Sequence, residues 1–198
     1  MTERGEDYRD AMLAGQEWAG RQFADCTFVE ADMRGLTTKG CTFDHCDFTR
    51  ADLGESKHSG SAFRTCTFSR TTLTETEFTG CSLLGSTFVE CRFRPWKVTD
   101  SDLTLASLTE AGLRKTDLSG LRFREANLVR ADLRDTDLRE ADLTGARLAE
   151  TKFDGADLRG AKIDATGLTH AKLAGALVDL DTAVAFAAAH GLRIDTSA

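Results

Sequence analysis

The sequence predicts an all-β chain wound as a coil of very short strands, and three observations predict it. Every fifth residue from Phe23 to Val178 is apolar at 30 of 32 positions, Thr38 and His58 being the exceptions. Two residues before each of these centres, 28 of 32 positions hold Ala, Ser, Thr or Cys; Arg21, Leu36, Trp96 and Leu121 depart. No insertion or deletion breaks the register between residues 21 and 180.

A period of five suits neither ordinary element. On a helix, at ~100° per residue, successive centres move ~140° around the axis and form no stripe. On a single long strand alternate centres would face water. The pattern is consistent if each pentad is one side of a coil that turns at its corner. Each side then points its centre and its small residue inward, and large and small side chains fill a narrow interior without voids. Burying each centre stabilises by ~1.5–3 kcal/mol before the entropy of ordering the chain is subtracted. Adjacent coils pair as parallel strands ~4.8 Å apart.

Residues 1–20 lie outside this register as read from Phe23 and carry five acids against two bases. The helical spacing of Tyr8, Met12 and Leu13, with Trp18 at the entry to the first coil, predicts a short N-terminal helix or a frayed extension that caps the coil. Residues 21–180 form the repeat itself. Thr38 and His58 place a polar soft spot in the inward ladder of the core. Trp96 is too large for a small-residue slot and Pro95 lacks a donor, so a kink or bulge is expected at residues 94–97. Residues 181–198 form a C-terminal helix and tail. Asp181 reads as its N-cap and Gly191 as its stop. The helix is apolar on most sides and covers the open strand edge. Leu177, Leu180, Val184, Phe186, Leu192 and Ile194 offer more apolar surface than one cap requires, which predicts a two-fold dimer contact there.

The charge balance excludes some partners. A net charge of −7 and a pI near 5.1 argue against a generic nucleic-acid or anionic-membrane binder. The longest apolar run, Ala183 to Ala189, is far below the ~20 residues a membrane span needs, and the opening MTERGEDYRD has no secretory h-region. All six cysteines (Cys26, Cys41, Cys46, Cys66, Cys81 and Cys91) fall on the small inward position. They read as buried thiols in a reducing cytoplasm, with no metal and no other cofactor. The four histidines form no paired motif, and neither a nucleophile elbow nor a phosphate loop occurs. Enzymatic chemistry is not expected in a solid rod.

The stretch ADLRDTDLREADLTG (131–145) resembles the pentapeptide-repeat family. That resemblance implies a right-handed quadrilateral β-helix of about eight coils over residues 21–180, a rod about 38 Å long. The segments HSGSAFRTCTFSRTTL (58–73), LLGSTFVECRFRP (83–95) and DLDTAVAFAAAHGL (179–192) resemble the quinolone-resistance members of that family. This resemblance extends from about Glu17 to the C-terminal region and leaves the first residues unassigned.

It implies a homodimeric rod that binds DNA gyrase, inhibiting it or protecting it from poisons, and that imitates duplex DNA rather than binding nucleic acid. On that implication the contact residues are Asp132, Asp135, Asp137, Glu140, Asp142, Asp154 and Asp157, which lie in the coils near the dimer junction. Two other classes stand beside it. One is a structural or adaptor module for an unrelated protein. The other is ice binding, which a flat Thr ladder would require; Thr27, Asp47, Thr67, Thr87, Ser107, Asn127 and Arg147 form too broken a ladder for that.

Overall fold

Left-handed corners set at five-residue intervals fold the chain into a four-sided parallel β-solenoid. The structure, a computed structural model, describes residues 2–193. Positive φ angles recur at positions 5, 10, 15 and onward to Gly160, with one interruption at Pro95. Where the corner residue is glycine, as at Gly35 and Gly60, the conformation carries no Cβ penalty. Elsewhere Glu, Asp and Arg mostly occupy it, with His45, Thr65, Leu105 and Lys115 at four corners, at a cost borne by the packing of the stack.

Pairing joins residues 20 apart, from Thr2↔Gln22 to Asp157↔Leu177. Side one carries Phe23, Phe43 and Phe63 in a four-stranded sheet. Side two carries Phe28, Phe48, Phe68 and Phe88, and includes the strand pair Thr67–Ser69 and Thr87–Val89. Side three, with Met33, Leu53, Leu73 and Phe93, is held by single bridges such as Asp32↔Asp52 and Thr72↔Arg92. Side four is a five-stranded sheet through Trp18, Thr38, His58, Phe78 and Val98. Nearly all centres from Phe23 to Leu158 are fully buried, and phenylalanines stack down the sides, as in Phe23–Phe43 at 4.9 Å and Phe68–Phe88 at 4.8 Å.

Three expectations are corrected. No helix forms near the N-terminus: Thr2–Arg4 and Glu17–Ala19 are strands paired to Gln22–Ala24 and Thr37–Lys39, and Asp7 and Met12 bridge Thr27 and Asp32. A coil therefore precedes residue 21. Its outer end is filled by polar groups: the Glu3 carboxylate accepts from Tyr8 Oη and from Arg21 Nη2 at 2.8 Å, and the Arg21 guanidinium lies 4.4 Å over the Trp18 ring. That arrangement accounts for Arg21 in a small-residue slot.

Thr38 and His58 form no soft spot. The Thr38 hydroxyl meets His58 Nδ1 at 2.8 Å, Ser56 Oγ meets Nε2 at 2.9 Å, and the ring stacks on Phe78 at 4.8 Å. Polar groups buried in partnered form cost little.

The third correction concerns the C-terminal helix. A single helical turn, α1 (Ala165–Leu168), interrupts the last coil, and α2 spans Leu180–Ala189. The N-cap of α2 is Asp179, not Asp181: Asp179 Oδ1 accepts from the Thr182 amide at 2.8 Å. Asp181 sits in the first turn. Gly191, at φ +79°, ends the helix as expected, with the Leu192 and Gly191 amides donating to the Ala187 and Ala188 carbonyls.

The irregularity at residues 94–97 is real. Pro95 fixes φ at a negative value and takes the place of a left-handed corner; its peptide bond to Arg94 is cis. The Glu75 amide reaches the Pro95 carbonyl at 2.6 Å, one residue further along than Glu55 reaches at Thr74.

Candidate functional site

A centre residue that points inward leaves its two neighbours pointing outward side by side, so Asp-Leu-Arg triplets build ion pairs within one side of the coil. Asp132–Arg134 (2.7 Å), Asp137–Arg139 (2.6 Å) and Asp157–Arg159 (2.6 Å) are such pairs. Hydrogen bonds from Arg134 and Arg139 hold Asp132 and Asp137 below the usual carboxylate range, and Arg159 brings Asp157 down to about 2. These carboxylates stay ionised at neutral pH.

The seven acids singled out from the sequence are spread over three sides. Asp132 and Asp154 lie on side three, Asp137 and Asp157 on side four, and Asp142 on side one. Asp135 and Glu140 occupy the two corners that flank side four. Asp135 pairs with Arg114 (2.8 Å) and Asp142 with Arg124 (3.2 Å), while Asp154 accepts the Ala174 amide at 3.1 Å. Glu140 lines a shallow depression of about 610 Å³ with Ser119, Gly120, Arg139, Arg159 and Gly160.

Side four contains the one continuous acidic column among them. Asp117, Asp137 and Asp157 bridge successively from coil to coil, and Arg139 reaches from Asp137 to within 3.9 Å of Asp157. Asp117 was not among the seven. Its position 20 residues before Asp137 was the clue that could have included it.

At the C-terminal end no residue of α2 is fully buried. Phe186 packs against the core, but Leu180 is 77% exposed, Leu192 65%, Leu177 53% and Val184 40%. An apolar cleft of about 210 Å³ runs between α2 and the last coil, lined by Leu168, Leu173, Val178, Ala183 and Phe186 among others. Ile194 lies outside the described residues.

The cysteines are free thiols, and burial pushes Cys91 up to about 11. Among the described residues no group of three or more His, Cys, Asp or Glu side chains is placed to hold a metal ion, and no helix is long and apolar enough to cross a membrane.

Comparison with known proteins places this geometry. Over 112 residues the chain is 77% identical to the pentapeptide repeat protein MfpA of Mycobacterium tuberculosis, a match covering 57% of this chain and 61% of the relative's length. The structure superposes on a trypsin-treated variant of QnrB1, described as a plasmid-mediated fluoroquinolone resistance protein, with a TM-score of 0.84 at 21% identity over 98% of both chains. Full-length QnrB1 gives 0.84 at 20% identity over 96% of this chain and 97% of the other. At that identity the likeness concerns the fold. Residues 7–78 match the model of the pentapeptide repeat region, and residues 101–140 and 141–177 match that of pentapeptide repeats in eight copies. With its five-residue corners and 20-residue pairing, the chain belongs to the pentapeptide-repeat family.

Proposed function

We propose that this protein binds DNA gyrase, modulates its activity and protects it from quinolone-type poisons, acting as a protein substitute for duplex DNA. The observation that carries the reading is the acidic column of side four. Asp117, Asp137 and Asp157 present one carboxylate per coil, at the ~4.8 Å spacing of paired strands. The extensive identity to MfpA and the fold shared with a fluoroquinolone resistance protein support the same reading.

The active form is a homodimer joined through α2 and its neighbours, because Leu177, Leu180, Val184 and Leu192 leave large apolar side chains facing water at that end. Joining two copies there places the acidic coils toward the middle of a longer rod. The rod works in the cytoplasm, on a protein partner, with no membrane and no direct nucleic-acid contact. Its charge surface is a mixed one, so recognition depends on the column's pattern and on shape, while bulk charge contributes to steering that salt weakens.

The test is a supercoiling and cleavage assay with purified gyrase, with and without a fluoroquinolone. Inhibited supercoiling or reduced drug-induced cleavage is the expected result. A protein that neither binds gyrase nor alters cleavage is an adaptor for another partner.

A further inference from the structure

The hydrogen-bonded stack is interrupted once in mid-rod. Elsewhere a side is stitched by bonds such as Met33 N–H to Asp52 O, Asp52 N–H to Ala31 O and Leu118 N–H to Asp137 O. Between the coil of residues 90–100 and that of 109–119, the equivalent bonds from the Glu90, Phe93, Val98, Asp100, Gly112 and Asp117 amides are missing among the described residues. The bridges agree: side three runs to Arg92 and resumes at Gly112, while the sheet on side four ends at Lys97–Thr99. Pro95 supplies a reason, since it has no amide to offer the Arg114 carbonyl and cannot form the left-handed corner.

The seam is open and positively charged. A cleft of about 440 Å³ lies along it, lined by Arg94, Pro95, Trp96, Lys97, Arg114, Lys115, Thr116 and Asp117: four cations and one carboxylate. Lys97 and Arg114 are engaged by Glu77 and Asp135. Arg92, Arg94 and Lys115 have no carboxylate within ion-pair distance among the described residues, whereas most arginines of this rod do. Trp96, which lines the cleft, packs its ring among Phe78, Phe88 and Phe93 and leaves its buried Nε1 without a hydrogen-bond partner. A second depression of about 380 Å³, lined by Val89, Glu90, Ser107, Thr109 and Glu110, continues the seam onto side two.

We propose that this seam is a docking site for an extended, acidic segment of a partner protein. Such a segment would pair its main chain with the unpaired groups at the exposed positions Glu90, Asp100, Gly112 and Asp117 and set its carboxylates against Arg92, Arg94 and Lys115. Two features favour polypeptide over nucleic acid. A row of unpaired main-chain groups is complementary to another backbone, and the Asp117 carboxylate, which has no ion-pair partner among the described residues, lines the cleft and disfavours a continuous polyanion. The proposal is independent of the gyrase reading.

The test uses the full-length, isotope-labelled protein titrated with a short fluorescent peptide of alternating Glu and Val, its Gln-Val counterpart, and a short DNA duplex. The expected result is saturable binding of the acidic peptide, with shifts confined to the amides of residues 90–100 and 109–119 and to the Trp96 indole. Arg94→Glu/Lys115→Glu, both exposed positions, should weaken binding about tenfold or more, as should the Gln-Val peptide. Lys39→Glu, an exposed cation several coils away, should leave it unchanged. Unaltered spectral dispersion, together with the milder Arg94→Gln/Lys115→Gln pair, separates lost contact from lost fold. Absence of binding, shifts elsewhere, binding indifferent to the charge reversal, or equal binding of the duplex at these residues overturns the proposal.

Discussion

The Asp179 carboxylate stands in for a backbone carbonyl toward Gly160. Its Oδ2 accepts the Gly160 amide at 3.1 Å, the bond that the next coil would otherwise supply, while Oδ1 caps α2 at Thr182. Asp164 does the same for Gly145 at 2.7 Å. The solenoid thus ends on side-chain acceptors that satisfy its last edge and begin its terminal helix.

Asp179→Ala should therefore loosen α2 and the last coil together. The expected outcome is a melting temperature lower by a few degrees and weaker self-association, read by calorimetry and analytical ultracentrifugation. Asp179→Asn, which keeps one acceptor oxygen, should restore part of the loss.

Leu133→Asp tests the inward register. Leu133 is fully buried at a centre of side three, and an unpaired carboxylate there costs several kcal/mol. The variant should be insoluble or melt far below the parent; normal thermal stability would refute the register.

His58 sets an acid sensitivity. Burial brings its ring down to about 3, against about 6.5 in an unfolded chain. Between those values the unfolded state takes up a proton that the folded state refuses, so stability falls as pH drops from about 6.5 toward 3. The limiting slope is about 1.4 kcal/mol per pH unit. Lys39, Lys57 and Glu77 flank the site on the same sheet, and a hydrogen bond from Lys97 holds the Glu77 carboxyl below the usual carboxylate range. Denaturant melts across pH 4 to 7 should show the slope in the parent and its absence in His58→Phe, whose ring retains the stack on Phe78.

Leu180→Asp/Val184→Asp places two charges on the exposed apolar end. It should shift a sedimenting dimer to a monomer at micromolar concentration while the coil's circular dichroism stays the same. A parent that already sediments as a monomer would remove the dimer.

The acidic surface is tested with two variants. Changing Asp117, Asp137 and Asp157 to Asn should abolish most of the effect on gyrase at physiological salt, with folding and dimerisation retained. Changing Asp132, Asp135, Asp137, Glu140 and Asp142 to their amides should have a smaller effect, because these groups spread over several sides and only Asp137 belongs to the column. Undiminished inhibition by the column variant would exclude that face.

Much of this molecule was legible in one dimension because a solenoid has a strict local period. The inward centres and the trouble at Pro95–Trp96 follow from counting, whereas the stacking of residues 20 apart rests on the family resemblance, which supplies the four sides of the coil. The first coil escaped the count because Glu3 at a centre and Glu6 and Gln16 in small-residue slots break the pattern: an end coil has one face toward water, so Glu3, Tyr8 and Arg21 can close it with polar contacts. Asp179 as the helix cap was equally hidden, since its second duty toward Gly160 exists only in the stack.

What the sequence determined by itself was the register, since each pentad carries its own large and small inward residues. What only the tertiary structure decided was how charges and edges are distributed between coils. Asp137 meets Asp117 and Asp157 across coils, and Arg139 meets both Asp137 and Asp157. The bonds missing opposite Pro95 likewise belong to two coils at once. Burial of a centre is settled within five residues, whereas an ion pair or a strand edge depends on a neighbour 20 residues away, whose position is set by the stacking itself.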